Sequence, residues 1–431
     1  MRRVVAALLA ALALTVSAPF VAPPPTAHAQ ETELARLRTE ARAAPRDHAV
    51  QRTLGIALLR AGRYREAEAQ LTRAARLTPG SLDALFDVAR VAFAREDHAA
   101  AERACRALTR AQADAVLTRV CNARADLVWN RSARAFEQLE VALASEPTNY
   151  EALYALAEAH RRRAAVSDAE AAYQRAIQAR PASAEPHLGL GRLYAAAGRR
   201  DDAVRALRRA LELDANDPEI QLALGRLISS SEEGRTLLAR AVEGRPDWPE
   251  AQVAAADAML AAGQIDAAEA AYRAAIRAHA DNAPAHSGLG RALAQRGDLA
   301  GAEQEIRRAL SLVANDPGSA LALADVLART ERYEEAFEQY RHAADLDPRN
   351  PVGLVRAAEL AMRQNRDVLA SGFLDRVLQQ HPSNAAALAL YGDVMRARRD
   401  TTRARDYYQR ALAGTGEIDR PRVEQALREL R

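Results

Sequence analysis

A 34-residue period runs through most of this chain and leaves little freedom in what it can fold into. Written in rows of 34 from His48, every row has a small residue in one column: Gly55, Ala89, Ala123, Ala157, Gly191, Gly225, Ala256, Gly290, Ala324, Ala358 and Gly392. A second column holds Ala67, Ala101, Ala135, Ala169, Ala203, Ala268, Ala302, Ala336, Ala370 and Ala404, with Gly234 in the sixth row. Four residues further on, a large apolar residue recurs: Leu71, Cys105, Leu139, Tyr173, Leu207, Leu238, Tyr272, Ile306, Tyr340, Leu374 and Tyr408. Pro79, Pro147, Pro181, Pro246, Pro348 and Pro382 mark row ends. Eleven rows follow one another from His48 to Ile418, and only the sixth, 218–248, is short, by three residues.

Within a row, apolar residues at i, i+3 or i+4 and i+7 predict two amphipathic helices. Short turns such as Ala61-Gly62-Arg63 or Ala262-Gly263-Gln264 join them. The small column lets the first helix approach its neighbour, and the second small column and the large residue face back into that gap. Proline at the row end cannot extend the preceding helix and suits the first turn of the next. Neither helix can bury its apolar face alone, so the rows must stack.

The 34-residue period with its small, alanine and proline columns resembles the tetratricopeptide repeat family, and the resemblance covers 48–418. The rows from Ala184 to Asp217 and from Pro317 to Asn350 carry it most cleanly. The fold it implies is all-α, a right-handed superhelical solenoid of helix pairs with a concave inner surface. Glu31 to Pro45 reads as half a repeat, within an N-terminal helical segment 30–47. Residues 419–431 read as a polar capping helix with Val423, Leu427 and Leu430 turned inward. Length alone, at 431 residues, would allow about three domains. The period replaces them with one continuous array, in which Ser229 to Gly234 is either a weak hinge or a neutral deletion in a turn.

Residues 1–29 have the pattern of a secretory signal peptide. Arg2 and Arg3 precede an apolar run from Val4 to Leu14, Pro23-Pro24-Pro25 breaks any helix, and Ala27-His28-Ala29 supplies small residues ahead of Gln30. A retained anchor would need about 20 uninterrupted apolar residues, and Pro19 cuts the run short. The expected product is therefore exported, periplasmic or secreted, without stable membrane insertion after cleavage near Ala29.

Composition agrees with the period. Hydrophobic residues make up 49% of the chain but aromatics only 4%, because two columns demand small side chains in every row. There is no lysine, so all basic residues are arginine, and the net charge of +3 falls to +1 once Arg2 and Arg3 are removed. A near-neutral chain of this kind does not point to nucleic acid.

Several patterns imitate catalytic motifs. Gly189-Leu190-Gly191 and Gly288-Leu289-Gly290 look like fragments of a phosphate-binding loop, which needs a preceding strand and a tight turn; both lie inside predicted helices. The nine histidines show no metal-ligand spacing, and His187 and His286 share a core-facing column. No serine, cysteine or lysine nucleophile stands beside an oriented base. No catalytic residue, metal site or cofactor is expected, and no enzyme.

Cys105 and Cys121 flank the turn between rows two and three at similar height on antiparallel helices. In an exported protein they read as a disulfide, or as two buried thiols if the helix of row three is rotated. That row is the least regular, with Asn122 and Asp126 at usually apolar positions. Trp129 and Trp248 read as packing residues.

In the family, ligands lie along the groove lined by the first helix of each row. The resemblance places Phe86, Arg90, Phe93, Val120, Arg124, Leu127, Tyr154, Arg161, Arg162, Arg192 and Arg226 on that face early in the chain. Later it carries Asp257, Asp325, Glu359 and Asp393, with Arg291 among them. Exposed aromatics beside arginine have the composition of interface hot spots and suit an extended acidic segment of a protein partner. The same arginines could instead pair with neighbouring carboxylates. The function expected is a protein–protein interaction scaffold of the cell envelope. An accessory of exopolysaccharide or pilus export and a targeting arm of a glycosyltransferase complex are the alternatives.

Overall fold

The computed structural model describes residues 27–430, and all 24 regular elements among them are α-helices. Helix α1 (Ala27–Ala43) precedes the rows. Rows one to three are the pairs α2 and α3 (His48–Arg60, Tyr64–Leu77), α4 and α5 (Leu82–Ala94, His98–Ala111), and α6 and α7 (Val116–Val128, Ser132–Ser145). Rows four to six are α8 and α9 (Tyr150–Arg162, Val166–Ala179), α10 and α11 (Glu185–Ala196, Arg200–Leu213), and α12 and α13 (Pro218–Leu227, Glu232–Gly244). Rows seven to nine are α14 and α15 (Pro249–Ala261, Ile265–Ala278), α16 and α17 (Ala283–Arg296, Leu299–Leu312), and α18 and α19 (Pro317–Arg329, Tyr333–Leu346). Rows ten and eleven are α20 and α21 (Val352–Arg363, Asp367–Gln380) and α22 and α23 (Ala385–Ala397, Thr401–Ala413); α24 (Arg420–Glu429) follows.

The columns become packing. Ala67, Ala101, Ala135, Ala169, Ala203, Ala268, Ala302, Ala336, Ala370 and Ala404 are each at most 1% exposed. The first small column faces the large residue of its own row. A methyl group on Gly55, Gly191, Gly290 or Gly392 would collide with Leu71, Leu207, Ile306 or Tyr408 respectively. Gly189 and Gly288 have a different neighbour: each leaves room for the tyrosine ring of the row before, Tyr173 and Tyr272. The Gly-x-Gly patterns are thus two adjacent packing demands inside a helix, and no phosphate loop exists there.

Each within-row turn needs one residue in the left-handed region. It falls on Gly62, Glu96, Asn130, Ala164, Gly198, Gly263, Gly297, Glu331, Asn365 and Arg399, all with positive φ. The sixth row has no such residue, because its deletion removes this turn; Ser231 instead accepts the Gly234 amide at 3.0 Å. Asp47, Ser81, Asn149, Asn282, Asp316 and Asn384 cap the first helices of their rows through side-chain oxygens.

Contacts divide the chain into two units. The first reaches Leu227 and includes Glu243–Arg245; the second comprises Ile228–Val242 and Pro246–Arg431. In the first unit α1 buries Leu34, Leu37 and Ala41 with Leu54 and Leu58 of row one. Arg245 lies over the Tyr64 ring at 5.1 Å, which ties that short segment to row one. In the second unit one continuous core runs from Val253 to Ala426. Val423 of α24 is fully buried there, and Leu427 and Leu430 pack half-buried against it. The expected signal peptide lies outside the described residues except for its last three positions, which open α1.

The structure joins Cys105 and Cys121 in a disulfide with Cα atoms 5.4 Å apart, both side chains buried. Two expectations need correction. Trp129 is 52% exposed, edge-on to His98 at 6.3 Å, because it ends α6 where the chain turns outward. Phe86 is only 4% exposed and belongs to the core around Cys105 and Val120. Val120 (0%) and Leu127 (8%) are likewise buried. All three are packed into the core of the first unit, so they are not the exposed groove residues expected. His286 is buried between Glu305 (2.6 Å) and the Ala280 carbonyl (3.1 Å), a satisfied core histidine.

Candidate partner-binding surfaces

The remaining candidates of the first unit lie on first helices, and most already have intramolecular partners. Arg90 reaches Glu185 at 3.1 Å and Asp87 at 3.8 Å. Tyr150 donates its hydroxyl to Glu185 at 2.7 Å and contacts Ser183 at 2.8 Å, while Arg180 covers the Tyr150 ring at 3.8 Å. Arg124 lies over Phe93 at 5.0 Å. Tyr154 is half-buried between Tyr150 (6.1 Å) and Tyr173 (6.2 Å). Arg161 pairs with Glu158 at 2.7 Å, Arg162 donates to the Leu127 carbonyl at 3.3 Å, and Arg192 pairs with Glu219 at 2.7 Å. Arg226 is exposed at the end of α12.

Charge on this face is therefore engaged within the molecule. Burial acts to lift the Glu185 carboxyl, but Arg90, the Tyr150 hydroxyl, Arg124 and Arg180 outweigh it and hold it below the usual range. Glu158 is held down in the same way, against burial, by Arg161 and the Tyr173 hydroxyl. Asp217 goes the other way. Burial, then Glu219 and Asp214, push it up to about 7, although it accepts the backbone amides of Glu219 and Ile220.

The second unit shows the same principle with the signs exchanged. Tyr272, Tyr340 and Tyr408 each donate a hydroxyl to the acid fifteen residues earlier: Asp257 at 2.6 Å, Asp325 at 2.7 Å and Asp393 at 2.6 Å. An arginine two helices further on closes each acid: Arg291 on Asp257, Arg356 on Asp325, Arg422 on Asp393. Burial and the paired carboxylate push all three phenols above the usual range, which disfavours their ionisation. Glu359, with no ion pair among the described residues, is raised by burial against the pull of Arg356, Arg422 and Arg363.

The sequence carries a signal for this arrangement. Where the large column holds tyrosine, the inner-face position fifteen residues earlier is acidic: Glu158, Asp257, Asp325, Asp393. Where it holds Cys105, Leu139, Leu207 or Ile306, that position is Arg90, Arg124, Arg192 or Arg291. Row ten departs from this, with Glu359 before Leu374, so the tyrosines account for Asp257, Asp325 and Asp393 but not for the whole acidic face.

On the inner side of the second unit an open hollow of about 1010 Å³ runs over rows seven to ten. Its floor is apolar, with Val253, Leu260, Leu321, Val326 and Leu360, and the Asp257–Arg291 and Asp325–Arg356 pairs rim it. Among the described residues no group of histidine, cysteine or carboxylate ligands is disposed to hold a metal. No helix there is long and apolar enough to cross a membrane.

Stacked helix pairs of this period and packing define a tetratricopeptide array. Two profiles of the tetratricopeptide repeat match the chain, one over 164–227 and 327–393, the other over 52–116, 122–184 and 253–320. The chain belongs to the tetratricopeptide repeat family, whose members bind protein partners and are generally scaffolds without catalytic activity. Between the matched segments, 228–252 is unmatched and holds most of the shortened row, 218–248. No curated protein sequence matches the chain. Among solved structures, it is similar to yeast Tom70 at 12% identity and a TM-score of 0.49, over 89% of this chain and 95% of that one. It is also similar to a tetratricopeptide repeat protein of Parabacteroides merdae at 15% identity and a TM-score of 0.45, over 57% of this chain and 98% of that one.

Proposed function

We propose that the protein is a non-enzymatic adaptor, exported to the cell envelope, that holds an extended segment of a partner protein against the inner face of its helix array. The observation that carries this reading is the open hollow of the second unit, where an apolar floor is rimmed by charges already neutralised in pairs. Such a surface is preformed, so ordering the scaffold adds little to the cost of binding. Neutralised rims favour apolar side chains of the guest and offer backbone and polar contacts at the edges. The first unit has an inner face of its own, with Tyr154, Arg192 and Arg226, where an acidic guest would have to compete with Glu158 and Glu219.

Two measurements test the proposal. Intact mass of the protein from envelope fractions should correspond to a chain starting at Gln30; full-length protein held in the membrane would oppose export. Purified mature protein should retain a defined envelope protein stoichiometrically. Retention of secretion components would assign it to an export machine and retention of a transferase to a glycosylation complex. Binding of carbohydrate with no protein would refute the adaptor reading.

A further inference from the structure

Row ten departs from the repeat at two positions that packing does not explain. The column of Val368 holds arginine, alanine, serine, aspartate, glutamate or threonine in the other ten rows. Val368 is 82% exposed, the most exposed of the large apolar residues described. One turn further along α21, Gly372 occupies a column that is never glycine elsewhere. A methyl group there would meet nothing within 4 Å, so neither close approach nor a turn requires glycine. A mid-helix glycine costs about 1 kcal/mol relative to alanine. Here the glycine leaves open space above the helix, and Gly372 and Phe373 both line the same hollow.

That hollow is shallow, about 880 Å³, and lies in the second unit, away from the inner-face hollow. Four arginines and one acid line it: Arg341, Arg366, Arg376, Arg398 and Asp367. Glu334 holds Arg366 and Asp345 holds Arg376. Arg398 donates only to the Ser371 hydroxyl, at 3.1 Å, and Arg341 has no carboxylate within 4 Å among the described residues. Two guanidinium groups free of carboxylates, in one hollow with exposed Val368 and the open space at Gly372, complement carboxylates next to apolar side chains.

We infer that this hollow is a second docking site, for an acidic peptide segment of a partner that places an apolar side chain over Gly372 and its carboxylates against Arg341 and Arg398. The site rests on the adaptor reading and gives it bivalency, because the hollow lies outside the inner face. An acidic peptide is the occupant argued for because one hollow combines two guanidinium groups free of carboxylates with exposed apolar surface at Val368, which complements carboxylates alternating with apolar side chains.

The test uses the mature protein and a fluorescein-labelled (Leu-Glu)5 peptide, with (Leu-Gln)5 as its uncharged counterpart, read by anisotropy. Arg341→Glu/Arg398→Glu should weaken binding of the acidic peptide at least tenfold. Gly372→Gln should weaken it at least threefold while leaving thermal stability equal or higher. Arg73→Glu/Arg277→Glu, the same charge change elsewhere, should leave it unaltered. Equal binding of (Leu-Gln)5, an equal loss in the control, or no loss in either pocket variant would overturn the site. So would capture of phosphatidylglycerol vesicles, but not peptide, with the same dependence on Arg341 and Arg398. A partner retained undiminished by both pocket variants would remove the hollow and leave the adaptor reading intact.

Discussion

Arg90 and Glu185, 95 residues apart in the chain, meet at 3.1 Å on the inner side of the first unit. The pair links α4 of row two to α10 of row five, and the Tyr150 hydroxyl of row four, itself bonded to Ser183, donates to the carboxylate from the other side. A stack in which each row met only its neighbours would not bring these two groups together. The pair is half-buried, at 22% and 43% side-chain exposure, so its worth is that of a well-held surface bridge rather than of a core pair.

A double-mutant cycle with Arg90→Met and Glu185→Gln should give a coupling of about 1 kcal/mol in urea unfolding, smaller at high salt. The Glu185 carboxyl is depressed in the folded state, so its contribution is complete above the ordinary carboxylate pKa. It is lost as pH falls through the depressed folded value. Additive single effects at neutral pH would show that the contact is not made.

Asp217 should behave in the opposite sense. Its folded pKa, about 7, lies above an ordinary unfolded value of about 3.9, so the folded state binds the extra proton between them. Stability should therefore fall as pH rises from about 4 to 7. Asp217→Asn keeps a capping oxygen and removes the charge. It should exceed the wild type by on the order of 1–2 kcal/mol at pH 8 and match it near pH 4. A variant less stable at pH 8 would contradict the burial assigned to this carboxyl.

The Cys105–Cys121 bond closes a loop with a sequence separation of 16, which corresponds to about 3 kcal/mol of stabilisation by loop-closure entropy. Reductant should lower the thermal midpoint by several degrees, and neither cysteine should alkylate in denaturant without it. Two alkylated thiols in unreduced protein would refute the pairing.

Backbone demands can be tested in both directions. Ala164 sits at φ 55° in the turn of row four, where Gly198 and Gly263 serve other rows. Ala164→Gly should stabilise by about 0.5–1 kcal/mol. Gly189→Ala should destabilise by about 1–3 kcal/mol despite the better helix propensity, since the added methyl group meets the buried Tyr173 ring. Urea midpoints of the two variants moving in the same direction would contradict this account of the turns and the small columns.

The fold was legible because each column expresses one packing demand repeated eleven times, and Ala67 or Gly191 cannot be changed without breaking that packing. The inner face was legible in position but not in state. Arg90, Arg161 and Arg192 do lie on first helices, yet each meets a carboxylate, and for Arg90 that carboxylate lies three rows away. A period shows which residues share a face; it does not show which distant rows meet across it. Phe86 and Trp129 differ from expectation in burial: the period gives a column, and the exposure of a ring in that column depends on its packing, 4% for Phe86 in the core and 52% for Trp129 at a helix end. The tyrosine–acid spacing of fifteen was readable but needed two columns compared at once.

The central claim is that partners are held on the inner face of the array. Site-specific photocrosslinking tests it most directly, with benzoylphenylalanine placed at Leu321 on the floor of the second-unit hollow and, separately, at Val141, which is exposed on α7. Irradiated cells should yield a discrete partner adduct from position 321 and none from position 141. Adducts of equal yield from both positions, or none from 321 while the partner still co-purifies, would contradict the claim.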